Sequence, residues 1–164
     1  MSTVNPNLRL LFYAKQYIGV QEIGGENKGP EVEEFQKAVD GKAQGEPYCM
    51  AFCQFLVKKV EAEFHIKSDV FRSESVWQTW QKTPVALRVQ VPEPGDIQCW
   101  NIPGSEKGHA GIFRAKKLGG LCEVIEANTN DGGSREGDGV YSKIRTLTGS
   151  QTFMVLGWLR AFKV

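Results

Sequence analysis

Pro94-Gly95-Asp96-Ile97-Gln98-Cys99-Trp100 is the stretch at which the chain changes its periodicity. The Pro-Gly-Asp triplet carries turn chemistry, and the apolar run after it is too short for a helix. Downstream, short runs follow at 109–114, 121–127, 140–145 and 153–159, separated by residues that favour turns. Gly119-Gly120 suits a tight hairpin between the runs at 109–114 and 121–127, because both residues tolerate positive φ. Upstream, the apolar spacing is helical. Helices first and an antiparallel meander of about five strands afterwards predict an α+β domain.

Working back toward the N-terminus, Val76, Trp77 and Trp80 mark a short helix ended by Lys82-Thr83-Pro84. Cys49, Phe52, Cys53, Leu56 and Val60 fall at offsets of three, four, seven and eleven. That spacing predicts one face of a long helix running from about Glu46-Pro47 toward Phe64. Val32, Phe35 and Val39 define another helix, with Pro30 at its start, acidic residues in its first turns and Gly41 as its stop. Asn5-Pro6 reads as a cap and first position for a helix whose stripe is Leu8, Leu11, Ala14 and Ile18. No repeat or linker divides residues 1–164, so one domain is expected.

Composition narrows the function. The 20 Lys plus Arg against 19 Asp plus Glu give a net charge of +1, without the basic excess of a nucleic-acid partner. No apolar run is long enough to span a membrane. Residues 1–6 lack the basic head of a secretion signal, which predicts synthesis in the cytoplasm. The four cysteines (Cys49, Cys53, Cys99 and Cys122) form no C-x-x-C pair, so they are expected to be reduced and not to hold structural zinc. No cofactor or metal is expected.

Three places carry candidate chemistry. Cys49 stands near the N-terminus of the third helix, where free N–H groups favour a thiolate and an adjoining oxyanion. Cys53, one turn on, loses most of that field. Cys99 and Cys122 read as small apolar strand residues. Of the two histidines, His65 follows the helix end as a solvated residue, whereas His109 opens a strand between Gly108 and Gly111, which leave its imidazole open. In Val124-Ile125-Glu126-Ala127-Asn128, alternation puts Glu126 and Asn128 on one face. A carboxylate and an amide beside an imidazole fix its tautomer and stabilise its cation.

The order Cys49, His109, Glu126, Asn128, with Glu-Pro-Tyr-Cys opening a helix and Pro-Gly-Asp-Ile before a strand, resembles the CHAP domain. That family comprises cysteine- and histidine-dependent amidohydrolases and peptidases of papain-like α+β fold. Residues 24–32, 108–112 and 137–140 also resemble recurrent family segments, and the likeness runs from about Leu8 to Leu159.

The resemblance implies that Cys49 is the nucleophile and His109 its base and then the acid for the leaving amine. Glu126 would orient His109, with Asn128 in support. Tyr48 occupies a position where many relatives carry Trp or Gln, so no side-chain oxyanion donor is assigned. Asp40 and Glu46 are isolated acids rather than the calcium loop of some members, and Asn128-Thr129-Asn130-Asp131-Gly132-Gly133 lacks EF-hand spacing, so calcium is not expected. That loop reads instead as a turn-rich rim of the active site. Trp77, Trp80 and Trp100 are candidates to stack on a sugar, with at most one so used.

The implied function is hydrolysis of a peptidoglycan amide, either N-acetylmuramoyl–L-alanine or a bond of the stem or bridge peptide. A phage-type endolysin released by a holin and a delivered cell-wall toxin both fit a lone catalytic domain, expected as a monomer acting on a muropeptide. Two other readings stand beside it: a cytoplasmic amidase acting on a small peptide or polyamine conjugate, and a non-catalytic wall-binding or structural protein.

Overall fold

A computed structural model of the protein describes residues 4–130, 132 and 137–163. Four helices come first: α1 (Pro6–Gln16), α2 (Pro30–Asp40), α3 (Cys49–Phe64) and α4 (Val76–Lys82). A 3-10 turn at Val85–Leu87 then leads into β1 (Arg88–Val89), β2 (Ile97–Asn101), β3 (Gly108–Lys116), β4 (Leu121–Thr129), β5 (Gly139–Thr146) and β6 (Met154–Leu159). The strands form one open antiparallel sheet in the order β1-β6-β2-β3-β4-β5.

The α+β class agrees with the sequence reading, and two details differ from it. The sheet has six strands rather than five, because β1 has only two residues and shows no alternation. The strands are also not a simple meander. β2 to β5 follow one another, but β6 crosses back to lie between β1 and β2. All five residues of β2 are buried, and such a strand needs a hydrogen-bonded neighbour on both edges. The expected glycine hairpin joins β3 to β4, with Gly119 at φ +71° and Gly120 at φ +72°.

The helices follow local chemistry. Asn5 caps α1 by accepting the Asn7 N–H at 2.8 Å. The buried face of α1 is Asn7, Leu10, Leu11 and Ala14, whereas Leu8 and Ile18 of the expected stripe are exposed. The Asn7 side chain sets that rotation by bonding Phe162 O at 2.8 Å and Phe162 N at 3.0 Å. Gly41 closes α2 in the left-handed region. The N-terminal half of α3 is buried on every face, not on the one face its spacing suggests, because it runs through the middle of the main core. There it packs between α1 and α2 and against β3 and β4.

One apolar cluster joins the four helices to the sheet face carrying Ile97, Cys99, Ala110, Ile112, Ile125 and Ala127. A smaller cluster, Trp100, Phe113, Cys122, Val124 and Trp158, covers the opposite face. That opposite face is where the alternation of β3 and β4 sends His109 and Glu126. Among the described residues, no helix is long and apolar enough to cross a membrane.

Candidate active site

Cys49 is the first residue of α3, a few positions later than the helix start expected near Glu46. Tyr48 precedes it without a side-chain cap, and the first intrahelical bond runs from Phe52 N to Tyr48 O. The N–H groups of the opening turn are therefore outside the helix's own hydrogen-bond ladder, and they carry the positive end of the macrodipole to the Cys49 sulfur. All four cysteines are buried and unbridged. Burial raises the Cys53, Cys99 and Cys122 thiols, with the charge of Cys49 adding to the shift at Cys53 and Cys99.

His109 lies near the start of β3 and is 1% exposed, so its imidazole is enclosed and not open as the flanking glycines suggest. Trp100 stacks on it with ring centroids 5.7 Å apart, and Phe153 lies at 6.1 Å. Its Nε2 is 2.7 Å from Glu126 Oε2. Nδ1 is buried without a hydrogen-bonded nitrogen or oxygen. The other group acting on the ring is the Cys49 sulfur, through charge and hydrogen bonding. Burial alone would lower the His109 pKa, but the Glu126 charge and the bonds with Cys49 and Glu126 outweigh it, pushing the value up to about 9.

Glu126 is fully buried and sits opposite Gly111 in the sheet register. A Cβ on residue 111 would stand 2.8 Å from Glu126 Cγ and 2.7 Å from Ile125 O. Gly111 is therefore the seat of the carboxylate, and its value lies in close approach rather than in backbone freedom. On its other side, Glu126 takes a guanidinium fork from Arg145 of β5, with Nε to Oε1 at 2.7 Å and Nη2 to Oε2 at 2.5 Å. Burial opposes ionisation of Glu126, but the bonds and charges of Arg145 and His109 win and hold the carboxyl below its ordinary value.

Asn128 departs from the expected geometry. The β4–β5 register shifts between Ala127 and Thr129, and Asn128 has φ +55°. This bulge breaks the alternation that placed Asn128 beside Glu126. No hydrogen bond joins Asn128 to His109, and among the described residues its buried Nδ2 has no partner. Nearby, Tyr48 is fully buried, and its phenol is pushed up by burial and then by the Glu22 carboxylate, against a smaller opposing effect of the Asn128 backbone. Asp131 and Gly133 lie outside the described residues, and with them part of the expected rim.

Two clefts flank the pair. The one beside Cys49 is lined by Glu46, Pro47, Glu74, Val76, Glu106 and Lys107. Partial burial and the neighbouring Glu46 carboxylate push Glu74 up to about 7. The other cleft reaches His109 past Arg145, Ser150 and Phe153. Trp100 is only 2% exposed, so its ring is a wall for His109 and not a platform for a sugar. Trp80 packs over Gly157 and Trp77 is half-buried. Among the described residues, no three His, Cys, Asp or Glu side chains converge as metal ligands would.

Three of the four expected residues therefore meet: Cys49, His109 and Glu126. Arg145 is the part the sequence reading passed over, and Gly111, read there as leaving the imidazole open, seats the carboxylate instead. Arg145 lies opposite Cys122, on the face that Cys122 shares with Glu126. That relation depends on a register which a single sequence does not display. The chain matches no protein-family model and no curated protein.

Proposed function

We propose that the protein is a papain-like cysteine amidohydrolase of CHAP type that hydrolyses an amide of peptidoglycan. The observation that carries this reading is the buried His109, held by Glu126 through one ring nitrogen and acted on by the Cys49 sulfur at the start of a helix. A packing cysteine needs no imidazole, and a packing histidine needs no buried carboxylate.

In this mechanism the Cys49 thiolate attacks the amide carbonyl carbon, and the oxyanion is stabilised by N–H groups at the α3 N-terminus. His109, protonated as the thiolate's partner, gives its proton to the leaving amine as the C–N bond breaks. A thioester to Cys49 remains. His109 then takes a proton from water, whose oxygen attacks the thioester carbonyl. Breaking the C–S bond releases the acid and restores the thiolate–imidazolium pair. Glu126 keeps the imidazole in one orientation and stabilises its cation throughout.

Glu46, Glu74 and Glu106 give the cleft beside Cys49 an acidic lining. That lining suits a peptide with a free ammonium group near the scissile bond, as a diamino acid of a stem or bridge supplies. The site of action in this reading is the cell wall, reached by holin-type release or by delivery. Digestion of purified peptidoglycan followed by mass spectrometry tests it. The expected result is a new free N-terminal L-Ala, or a new stem or bridge terminus, absent with Cys49→Ala. Unaltered muropeptides, or equal digestion by Cys49→Ala, would remove the reading.

A further inference from the structure

We propose that Arg145 is a positioning residue of this site, its guanidinium fork supplying both the aim and the counter-charge of Glu126. The proposal rests on the Cys49–His109 reading above and extends it to a β5 residue that is bonded to Glu126.

The geometry makes the argument. Glu126 Oε2 receives His109 Nε2 at 2.7 Å and Arg145 Nη2 at 2.5 Å, while Oε1 receives Arg145 Nε at 2.7 Å. Two parallel bonds from a planar donor fix the carboxylate plane, which a single bond from the imidazole cannot do. The Arg145 side chain is itself only 19% exposed, so little water competes for the fork.

The charge count points the same way. Thiolate, imidazolium, carboxylate and guanidinium sum to zero, and without the guanidinium the buried set would carry one net negative charge. Burial makes such a charge costly, and the group relieves it by holding protons to higher pH. Burial and then nearby charges raise Cys53 of α3, Cys99 of β2 and Cys122 of β4, the Glu126 carboxylate acting on Cys53 and Cys122 and Cys49 on Cys53 and Cys99. All three are raised thiols, so at neutral pH none replaces the lost cation.

The test is an NMR titration of the His109 imidazole, which needs no substrate and has only His65 to be distinguished from it. In the wild type the ring is expected to titrate well above an ordinary imidazole, pushed up to about 9. Arg145→Met should move that titration upward by about one unit or more, because the coupled set binds its proton more tightly. Arg145→Lys, which keeps the charge and loses the fork, should leave the titration within ~0.3 unit while kcat/KM falls by about 10-fold. Arg145→Gln serves where the methionine variant does not fold, with the same upward shift expected. A neutral variant whose His109 titrates as in the wild type or lower, or a lysine variant that shifts as far as the neutral one, overturns the proposal. Failure of the hydrolase reading shows elsewhere, as peptidoglycan left intact by a wild type whose His109 titration still responds to Arg145.

Discussion

Two arginine–carboxylate forks brace the same sheet, and they differ in their third partner. Asp96, fully buried just before β2, takes Arg160 Nε at 3.1 Å and Nη2 at 2.9 Å, then closes on the backbone N–H of Glu93 at 2.8 Å. Glu126, equally buried in β4, takes Arg145 in the same way and closes on an imidazole. The backbone donor cannot titrate, so the Asp96 fork only holds a turn, whereas the Glu126 fork holds a group that gains and loses a proton. A buried ion pair is thus not itself a mark of chemistry. The partner that changes charge makes it one.

The sharpest way to break this comparison is to neutralise each carboxylate without changing its shape. Glu126→Gln is expected to lower kcat/KM on a defined muropeptide by about 100-fold, or roughly 2.7 kcal/mol of transition-state stabilisation. Asp96→Asn is expected to cost roughly 1–3 kcal/mol in urea unfolding, while kcat/KM of the folded fraction stays within about 2-fold. Equal losses of activity from the two variants would erase the distinction between the forks.

A smaller effect is expected at the residue directly opposite Glu126 in the sheet register. Gly111→Ala places a methyl group 2.8 Å from Glu126 Cγ, so the carboxylate must shift from its seat. A displacement approaching 1 Å costs on the order of 100-fold at most, and a fall of about 10-fold in kcat/KM is expected with a folded protein. Asn128→Ala tests the bulge instead. At φ +55° alanine is strained by about 1 kcal/mol, so its defect should appear in stability and be relieved in Asn128→Gly. If Asn128→Ala is inactive while Glu126→Gln is nearly wild type, the third member of the site is the amide.

The contrast also explains what the sequence could disclose. Cys49 and His109 were legible because each is a scarce residue type at an element boundary, and Glu126 because it falls on a predictable strand face. Glycine positions were legible as turns, and Gly119-Gly120 behaves as read. Arg145 and Gly111 were not legible, because their roles depend on which residues oppose them across two strand pairs. The crossing of β6 back to β2 was hidden for the same reason, since pairing is a long-range choice. Asn128 was misplaced because a bulge shifts alternation by one residue without any composition signal. The exposure of Leu8 and Ile18 came from a tertiary bond of Asn7 that local periodicity does not see.

The smallest expected effect concerns the acidic cleft. Glu74 is raised in the folded protein to about 7, so the native state binds its proton more tightly than the unfolded chain. That contributes stability below about pH 4.5 which is lost as pH climbs through about 7. Glu74→Gln should therefore flatten the pH dependence of Tm across that window, raising Tm at pH 8 by roughly 1–2 °C. An unchanged slope between pH 4.5 and 8 would show that the cleft relieves the charge in another way.

Thiol alkylation as a function of pH, read by peptide mass spectrometry on the folded wild type, tests the Cys49–His109 pair most directly. Cys49 is expected to react with iodoacetamide well below the ordinary thiol pKa of about 8.5, while Cys53, Cys99 and Cys122 stay unlabelled. His109→Ala should remove that early reactivity. Four cysteines that react alike, and only above about pH 8.5, would contradict the account, because Cys49 would then be a packing residue whose neighbour happens to be a histidine.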